Sequence, residues 1–543
     1  MLFPLYWTRS DSNVRLPGHL LHRMTTFLLA AVTVVLSIGA GRYGVGAEKR
    51  SAPNIVVILV DDLGYRDVGI YGAKDIPTPN IDALARHGTR FTNSYSACPV
   101  CTPARAALLT GRYQQRYGLE WVISPNVLTG KTEYGLDVRE KTLADLLRAQ
   151  GYATGILGKW HLGDQPQYLP THRGFDYFYG YLQWGHYYLN PTKEELANPT
   201  DPWILFAKEF GGAATAAYMV NVSNAPIYRN EQAVGYQGYL TDVLHDEALR
   251  FIERNKDRPF FLYLAEAGQH VPVQATEKYL SRFPKLNDEK CRRTYAAALS
   301  AIDDGVGAIA AKLRALDLEK NTIVFFTSDN GGPSFWKPRP EILDVIKAGT
   351  PLGAPRPGEK VDWRVTSKRF QWAIGANGSE NLPLSFGKGI LYEGGVRVPF
   401  IVRWPGMVPA GKVSEAVVSH LDILPTCVAA AGGKLPGDRE YDGADLGRYF
   451  SGGTGDWTDR PMFWRVWRDR AVRMKQWKLV WTGDAPPRLY NLVADVEEEH
   501  DLSVTQPQIV ARMQEAWKAW NKKNIAPLFE FKMKGGPWKN NTQ

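Results

Sequence analysis

Three carboxylates and one amide follow directly on two apolar runs that lie far apart in the chain. Asn54-Ile-Val-Val-Ile-Leu-Val60 leads into Asp61-Asp62-Leu63-Gly64, and Thr322-Ile-Val-Phe-Phe-Thr-Ser328 leads into Asp329-Asn330-Gly331-Gly332. Each run is continuous and rich in β-branched and aromatic residues, the composition of a strand covered on both faces. In a parallel α/β sheet the ligand crevice lies at the carboxyl ends of the strands, so Asp61, Asp62, Asp329 and Asn330 can converge there. Like charges at close range raise one another's pKa or recruit a cation, and oxygen-only ligands select a hard one. Calcium accepts about six to eight oxygens at flexible geometry, whereas magnesium holds to strict octahedra, so the donor set points to Ca2+. Taken singly, each motif reads equally well as Asp and Asn capping a helix or closing a turn. The pairing of both with buried strands is what favours the metal.

A second chemical feature is Cys101-Thr-Pro-Ala-Arg-Ala-Ala-Leu-Leu-Thr-Gly111, which reads as a short helix with Thr102 as N-cap, Pro103 in the first helical position and Gly111 ending it. Cys101 then lies just before a helix N-terminus, where free N–H groups favour an anion, and Arg105, one turn in, adds a planar cation suited to its oxygens. Lys159 and His161 follow another extended stretch, His270 stands in His270-Val-Pro272, and Lys388 opens a glycine-rich segment ending at Gly395. In isolation, such residues often do no more than satisfy backbone carbonyls. His87, His245 and His420 read as structural. His172 and His186 lie beside Tyr177, Tyr179, Tyr187 and Tyr188, where they line a sugar-binding mouth or belong to a packed aromatic layer; His186 is kept as a substrate-binding candidate.

The elements that must position these groups alternate along the chain. Leu143 to Gln150, Asp242 to Arg254 and Tyr295 to Leu316 read as helices, and Tyr152 to Leu157 and Pro259 to Ala265 as strands, a doubly wound α/β pattern. After Gly452-Gly453-Thr-Gly455, Met462 to Trp481 alternates aromatic and basic residues and Ile509 to Lys522 looks helical, which predicts a smaller α+β unit, an antiparallel sheet with a packed helix. The Pro-, Gly- and Trp-rich stretch from Gly332 to Pro383 reads as a long loop shaping access to the site. Near the N-terminus, Phe27 to Ala40 is apolar, follows Arg15 and Arg23, and leads to Val45-Gly46-Ala47, a secretory signal pattern too short for a stable membrane span. The expected organisation is therefore a signal peptide over 1–47, a catalytic domain over 48–452 and a C-terminal subdomain over 453–543, in an exported protein.

Of the formal net charge of +9, residues 1–47 carry +3 (Arg9, Arg15, Arg23 and Arg42 against Asp11), which leaves a mildly basic +6 that permits a polyanionic partner without diagnosing one, and no Lys/Arg block of the nucleic-acid kind occurs. The 4 cysteines are too few and too scattered to staple 543 residues. Cys98-Pro-Val-Cys101 can also be read as a redox or metal pair, although neither Cys291 nor Cys427 has the spacing to complete a zinc site.

Cys101-x-Pro103-x-Arg105 followed by Leu109-Thr-Gly-Arg112 resembles the sulfatase signature, in which the cysteine is oxidised to formylglycine (3-oxoalanine). Asp61-Asp62-Leu63-Gly64, Gly158-Lys-Trp-His-Leu-Gly163, His270-Val-Pro272, Ser328-Asp-Asn-Gly331 and Lys388-Gly-Ile-Leu-Tyr-Glu-Gly-Gly395 look like family blocks in the family's order, and Leu489-Tyr-Asn-Leu492 resembles its C-terminal unit. Leu169 to Gly180 and Arg112-Tyr-Gln114 look most similar to the arylsulfatase B (N-acetylgalactosamine-4-sulfatase) branch. Ala104 departs from the serine common between the proline and arginine, and Ser385 replaces an arginine common three residues before the lysine.

The resemblance implies an alkaline-phosphatase-like mixed sheet and hydrolysis of the sulfate ester of a sulfated glycan or an aryl sulfate. It implies calcium bound by Asp61, Asp62, Asp329, Asn330 and the modified Cys101, which is the nucleophile made by a formylglycine-generating enzyme. Arg105, Lys159 and Lys388 would neutralise the sulfuryl group, Lys159, Lys388 and His270 would also bind substrate, His270 with Lys388 would protonate the leaving alcohol, and His161 would take the proton whose loss expels sulfate. Two rival readings are a phosphoester hydrolase of the same superfamily and a non-catalytic binder of sulfated glycans in which Cys101 stays a thiol.

Overall fold

The computed structural model describes residues 52–124, 134–197, 217–286, 291–333, 377–452, 457–483 and 485–528. The signal segment expected over 1–47 and most of the long loop, 334–376, lie outside the described residues.

Ten strands form one mixed sheet: β1 (Asn54–Val60), β2 (Thr89–Tyr95), β3 (Ala153–Lys159), β4 (Tyr177–Tyr181), β5 (Ile227–Arg229), β6 (Gln232–Val234), β7 (Phe260–Glu266), β8 (Thr322–Ser328), β9 (Phe400–Arg403) and β10 (Lys412–Ser419), in the order β10-β2-β9-β8-β1-β7-β3-β4-β5-β6. The centre, β8-β1-β7-β3-β4, is parallel, and β9 runs antiparallel between β8 and β2. Every residue of β1, β7 and β8 is buried, as their unbroken apolar runs require.

Side chains alternate between two cores. Val56, Ile58, Val60, Leu262, Leu264, Val324 and Phe326 face the helices Leu240–Arg254 and Arg292–Ala315, while Ile55, Val57, Leu59, Phe261, Tyr263, Ile323 and Phe325 face the helices Cys101–Thr110, Leu143–Arg148 and Ile423–Ala430. This is the doubly wound arrangement with helices on both faces. Helix ends fall within a few residues of those expected from periodicity.

The second sheet is antiparallel, β11 (Met462–Val466), β12 (Asp469–Met474), β13 (Trp477–Trp481) and β14 (Arg488–Asn491), with the helix Pro507–Asn521 packed on it through Met513, Trp517 and Trp520. It belongs to the same compact unit as the large sheet. Trp464 Nε1 donates to Ser96 O at 2.9 Å and packs edge-on against Tyr95 with ring centroids 5.6 Å apart, so the small sheet rests on the end of β2.

Candidate active site and metal centre

β1 and β8 pair in parallel with Val60 opposite Ser328, so the residues that follow, Asp61-Asp62 and Asp329-Asn330, leave the sheet side by side. Ser328 Oγ stitches the two exits together, donating to Val60 O at 3.0 Å and accepting the Leu63 N–H at 3.1 Å. Asp62 takes φ 59°, a left-handed conformation costing a non-glycine residue about 1 kcal/mol, and this turn directs consecutive carboxylates to different partners. Asn330 Nδ2 donates to Asp62 Oδ1 at 2.8 Å, and the Asp62 N–H reaches Asp329 Oδ1 at 3.3 Å. All four residues are buried.

Cations close in from the neighbouring elements. Lys159, the last residue of β3, places its ammonium on Asp61 Oδ2. Arg105 Nη2 lies 3.0 Å from Asp329 Oδ2 and 3.4 Å from Asp61 Oδ2, while its Nη1 donates to Lys159 O at 3.1 Å. Lys388 Nζ donates to Asp62 Oδ2 at 2.8 Å, and His270 Nε2 stands 3.8 Å from the same oxygen. Donor atoms of Asp61, Cys101 and Asp329 lie within 4.8 Å of one another, as do those of Asp61, Asp62 and His270. The structure thus brings Asp61, Asp62, Cys101, Arg105, Lys159, His270, Asp329, Asn330 and Lys388 into one buried cluster.

The helix that presents Cys101 starts two residues earlier than expected. Cys101 is its first residue and Val100 its N-cap, because the Thr102 hydroxyl is engaged elsewhere, accepting the Ile123 N–H at 3.3 Å. Gly111 ends the helix as expected, at φ 63° with its N–H on Ala107 O. Cys101 therefore sits at the N-terminus itself. Cys98 and Cys101 are both buried and are not joined by a disulfide. Burial pushes the Cys101 thiol up despite Lys159 and Lys388, which leaves it a poor nucleophile as sulfur.

The electrostatics fit a cation. Burial alone would raise the Asp61 carboxyl, but Lys159, His270, Arg105 and Lys388 together hold it well below the usual range. Burial raises Asp62 against the pull of Lys388, and burial together with the Asp61 charge pushes Asp329 up to about 7. Asp61 Oδ1 and Asn330 Oδ1 are buried with no hydrogen-bond partner among the described residues. Orphaned oxygens beside carboxylates that resist ionisation are what a hard cation would satisfy.

His161 takes φ 60° just past β3; its Nε2 is 2.9 Å from Ile123 O, and its buried Nδ1 has no partner among the described residues. Burial first, then Lys159, pushes both His161 and His270 well below the ordinary imidazole range, so both are neutral near pH 7. His186 does not join the cluster in any contact described: its ring nitrogens face Tyr187 O and Ala225 O, and it packs between Tyr181 and Tyr236. Of the two readings offered for it, the packed aromatic layer is the one these contacts favour. His172 is exposed on Glu231, and His87, His245 and His420 contact Ala83 O, Glu266 and Thr327.

One residue of the site escaped motif reading. Asn377 heads an Asn-Gly-Ser sequon, yet it is buried, and its amide donates to Gln269 O at 2.7 Å and Asp62 O at 3.4 Å, tying the Asp62 turn to the His270 loop. No local pattern announces this.

The sequence model of the Sulfatase family matches residues 53–433, and that of the C-terminal part of N-sulphoglucosamine sulphohydrolase matches residues 384–523. The chain is 35% identical over 454 residues to the N-acetylgalactosamine-6-sulfatase of Canis lupus familiaris, covering 79% of this chain and 71% of that protein. It is 33% identical over 420 residues to arylsulfatase G of Mus musculus, covering 75% of this chain and 70% of that protein. Among solved structures it is similar to Ps i-CgsB, with a TM-score of 0.72 at 35% identity over 88% of this chain and 95% of that one; a structure of the same protein holds k-i-k-neocarrahexaose. It is also similar to the PsFucS1 sulfatase from Pseudoalteromonas sp., with a TM-score of 0.69 at 26% identity over 88% and 91% of the two chains. The chain belongs to the sulfatase family and is a sulfuric ester hydrolase.

Proposed function

We propose that this protein is an exported, calcium-dependent sulfatase that removes sulfate from a sulfated carbohydrate, using formylglycine formed from Cys101 by a maturing enzyme. The observation that carries the reading is the buried cluster in which Cys101, at a helix N-terminus, shares a 4.8 Å neighbourhood with Asp61 and Asp329. Asp61, Asp62, Asp329 and Asn330 would hold the calcium, which would supply Lewis acidity, while a hydrated aldehyde at position 101 would supply a nucleophilic hydroxyl and, in its second hydroxyl, a proton whose loss regenerates the aldehyde as sulfate leaves. The carbohydrate substrate is supported by the sugar sulfatase named among the relatives and by the oligosaccharide complex of Ps i-CgsB.

The chain's own residues supply the rest. Lys159, Arg105 and Lys388 form a wall of cations along the carboxylates, and an arriving sulfate exchanges protein carboxylate for sulfate oxygen as their partner. Its added negative charge favours the charged form of His270, whose Nε2 faces the cluster while Nδ1 lies 2.7 Å from Val271 O. His270 can then give a proton to the departing alcohol. His161, neutral and fixed through Nε2, keeps Nδ1 to accept one.

The test is sulfate release by matured protein in calcium across sulfated glycans, including 4- and 6-sulfated N-acetylgalactosamine and carrageenan oligosaccharides, beside phosphate esters. Release from at least one sulfated sugar that is lost in Cys101→Ala supports the reading. Release of phosphate alone by confirmed formylglycine protein overturns it.

A further inference from the structure

The segment from Ser385 to Val396 does more than carry Lys388. Lys388 N–H donates to Gly332 O at 3.2 Å, Gly389 N–H to Pro99 O at 2.8 Å, and Gly331 N–H to Gly395 O at 3.0 Å, so the segment is pinned to the metal-side exit of β8 and to the loop entering Cys101. Its far end, Glu393, is fully buried in a charged network. Tyr95 OH donates to Glu393 Oε2 at 2.8 Å, Arg397 Nη1 lies 3.2 Å from the same oxygen, and Lys478 Nζ donates to Oε1 at 2.8 Å. The Glu393 N–H donates to Glu498 Oε2 at 2.8 Å, and Lys478 Nζ stands 3.4 Å from Glu498 Oε1. At the near end, the Ser385 hydroxyl donates to Glu497 O. Lys478 belongs to β13 and Glu498 to the loop after β14, so the C-terminal unit grips both ends of the segment that delivers Lys388.

Stability alone accounts poorly for a fully buried lysine between two carboxylates, because apolar residues of the same shape commonly do as well or better; fixing one arrangement is the better-attested use of such a network. We propose that Lys478 is a positioning residue for Lys388: clamped between Glu393 and Glu498, it fixes the Ser385–Val396 segment so that the Lys388 ammonium meets the Asp62 side of the site. The small C-terminal sheet is thereby a working part of the active site through the segment it holds.

The proposal rests on the sulfatase reading for its kinetic arm only. Lys478→Met, which keeps length and removes charge, should lower kcat/KM by about 10- to 100-fold, the usual cost of losing a group that orients a site residue. In a Lys388→Ala background the same change should cost less than about twofold, since a residue acting through Lys388 has nothing left to position. Independently of turnover, hydrogen exchange should show the amides of Lys388, Gly389 and Gly395 opening faster in Lys478→Met, with the large sheet unchanged. If Lys478→Met does not fold, Glu498→Ala, on a loop, is carried through both measurements with the same expectations. A wild type that releases no sulfate would sink the sulfatase reading while the exchange arm still decides the proposal. Full multiplication of the two effects in the double variant, or exchange at 388–395 equal to wild type, overturns it.

Discussion

Replacing Arg105 by methionine removes a fully buried guanidinium that lies 3.0 Å from Asp329 and 3.4 Å from Asp61. At an effective permittivity of about 20, each pairing at this range is worth about 4 kcal/mol before the cost of burying the guanidinium is subtracted. Methionine fills most of the space, so the loss is chiefly charge, and leaving buried carboxylates uncompensated costs about 3–5 kcal/mol. Lys159 stays on Asp61, so the deficit falls on Asp329, which burial and Asp61 already push up to about 7. On the proposed reading, a bound calcium ion would supply the same missing charge. Arg105→Met should therefore be less stable than wild type by about 3–5 kcal/mol in EGTA, and saturating calcium should restore more stability to the variant than it adds to the wild type. Chemical denaturation with and without calcium, beside calorimetric calcium titration, measures both increments. Equal stability in EGTA, or identical calcium increments in the two proteins, would refute the claim that Arg105 and the metal serve the same carboxylates.

Three further outcomes follow from the same contacts. His270→Ala should lose about 100- to 10,000-fold in turnover of a sugar sulfate but much less with 4-nitrophenyl sulfate, whose phenolate leaves without a proton; equal losses on both would remove His270 from that role. A Cβ on Gly331 would lie 1.7 Å from Gly394 O, so Gly331→Ala should cost about 1–3 kcal/mol or more and displace the Lys388 segment, which thermal unfolding and turnover would register together. Burial pushes Glu498 up to about 7 even though Lys478 faces it, so its folded value exceeds the unfolded one. Its stabilising contribution is whole below about pH 4.3 and is lost as pH rises through about 7. Glu498→Gln should thus gain stability relative to wild type on going from pH 5 to pH 8, by on the order of 1–3 kcal/mol; denaturation midpoints that move in parallel at both pH values would contradict this.

The two strands that end in Asp61 and Asp329 were legible because burial on both faces leaves an unbroken apolar run, and the residue that first breaks it must emerge at the sheet edge. Asp61 and Asp329 are those residues, and the in-register pairing of Val60 with Ser328 is what makes two distant motifs one site. Cys101 and Arg105 were legible for another reason, the local grammar of a helix start, although that grammar misplaced the cap by two residues because Thr102 serves Ile123 rather than its own helix. Asn377 was not legible: its sequon suggests a surface acceptor, and only the fold shows its amide spent between Asp62 and Gln269. Lys478 and Glu498 were hidden by composition. In an aromatic and basic strand a lysine reads as solvated, and nothing local marks the one that turns inward to Glu393. His186 illustrates the converse, since its neighbouring tyrosines left a sugar-binding mouth and a packed aromatic layer equally open in the sequence, and only the fold shows both ring nitrogens on backbone carbonyls.

The central claim is that residue 101 acts as an aldehyde and not as a thiol. Its most direct test is to prepare the protein at graded extents of maturation, measure by mass spectrometry the converted fraction in the tryptic peptide from Phe91 to Arg105, and read sulfate release on the same samples. The account predicts release proportional to the converted fraction, reaching zero with the unconverted cysteine. Undiminished release from fully thiol protein would contradict it.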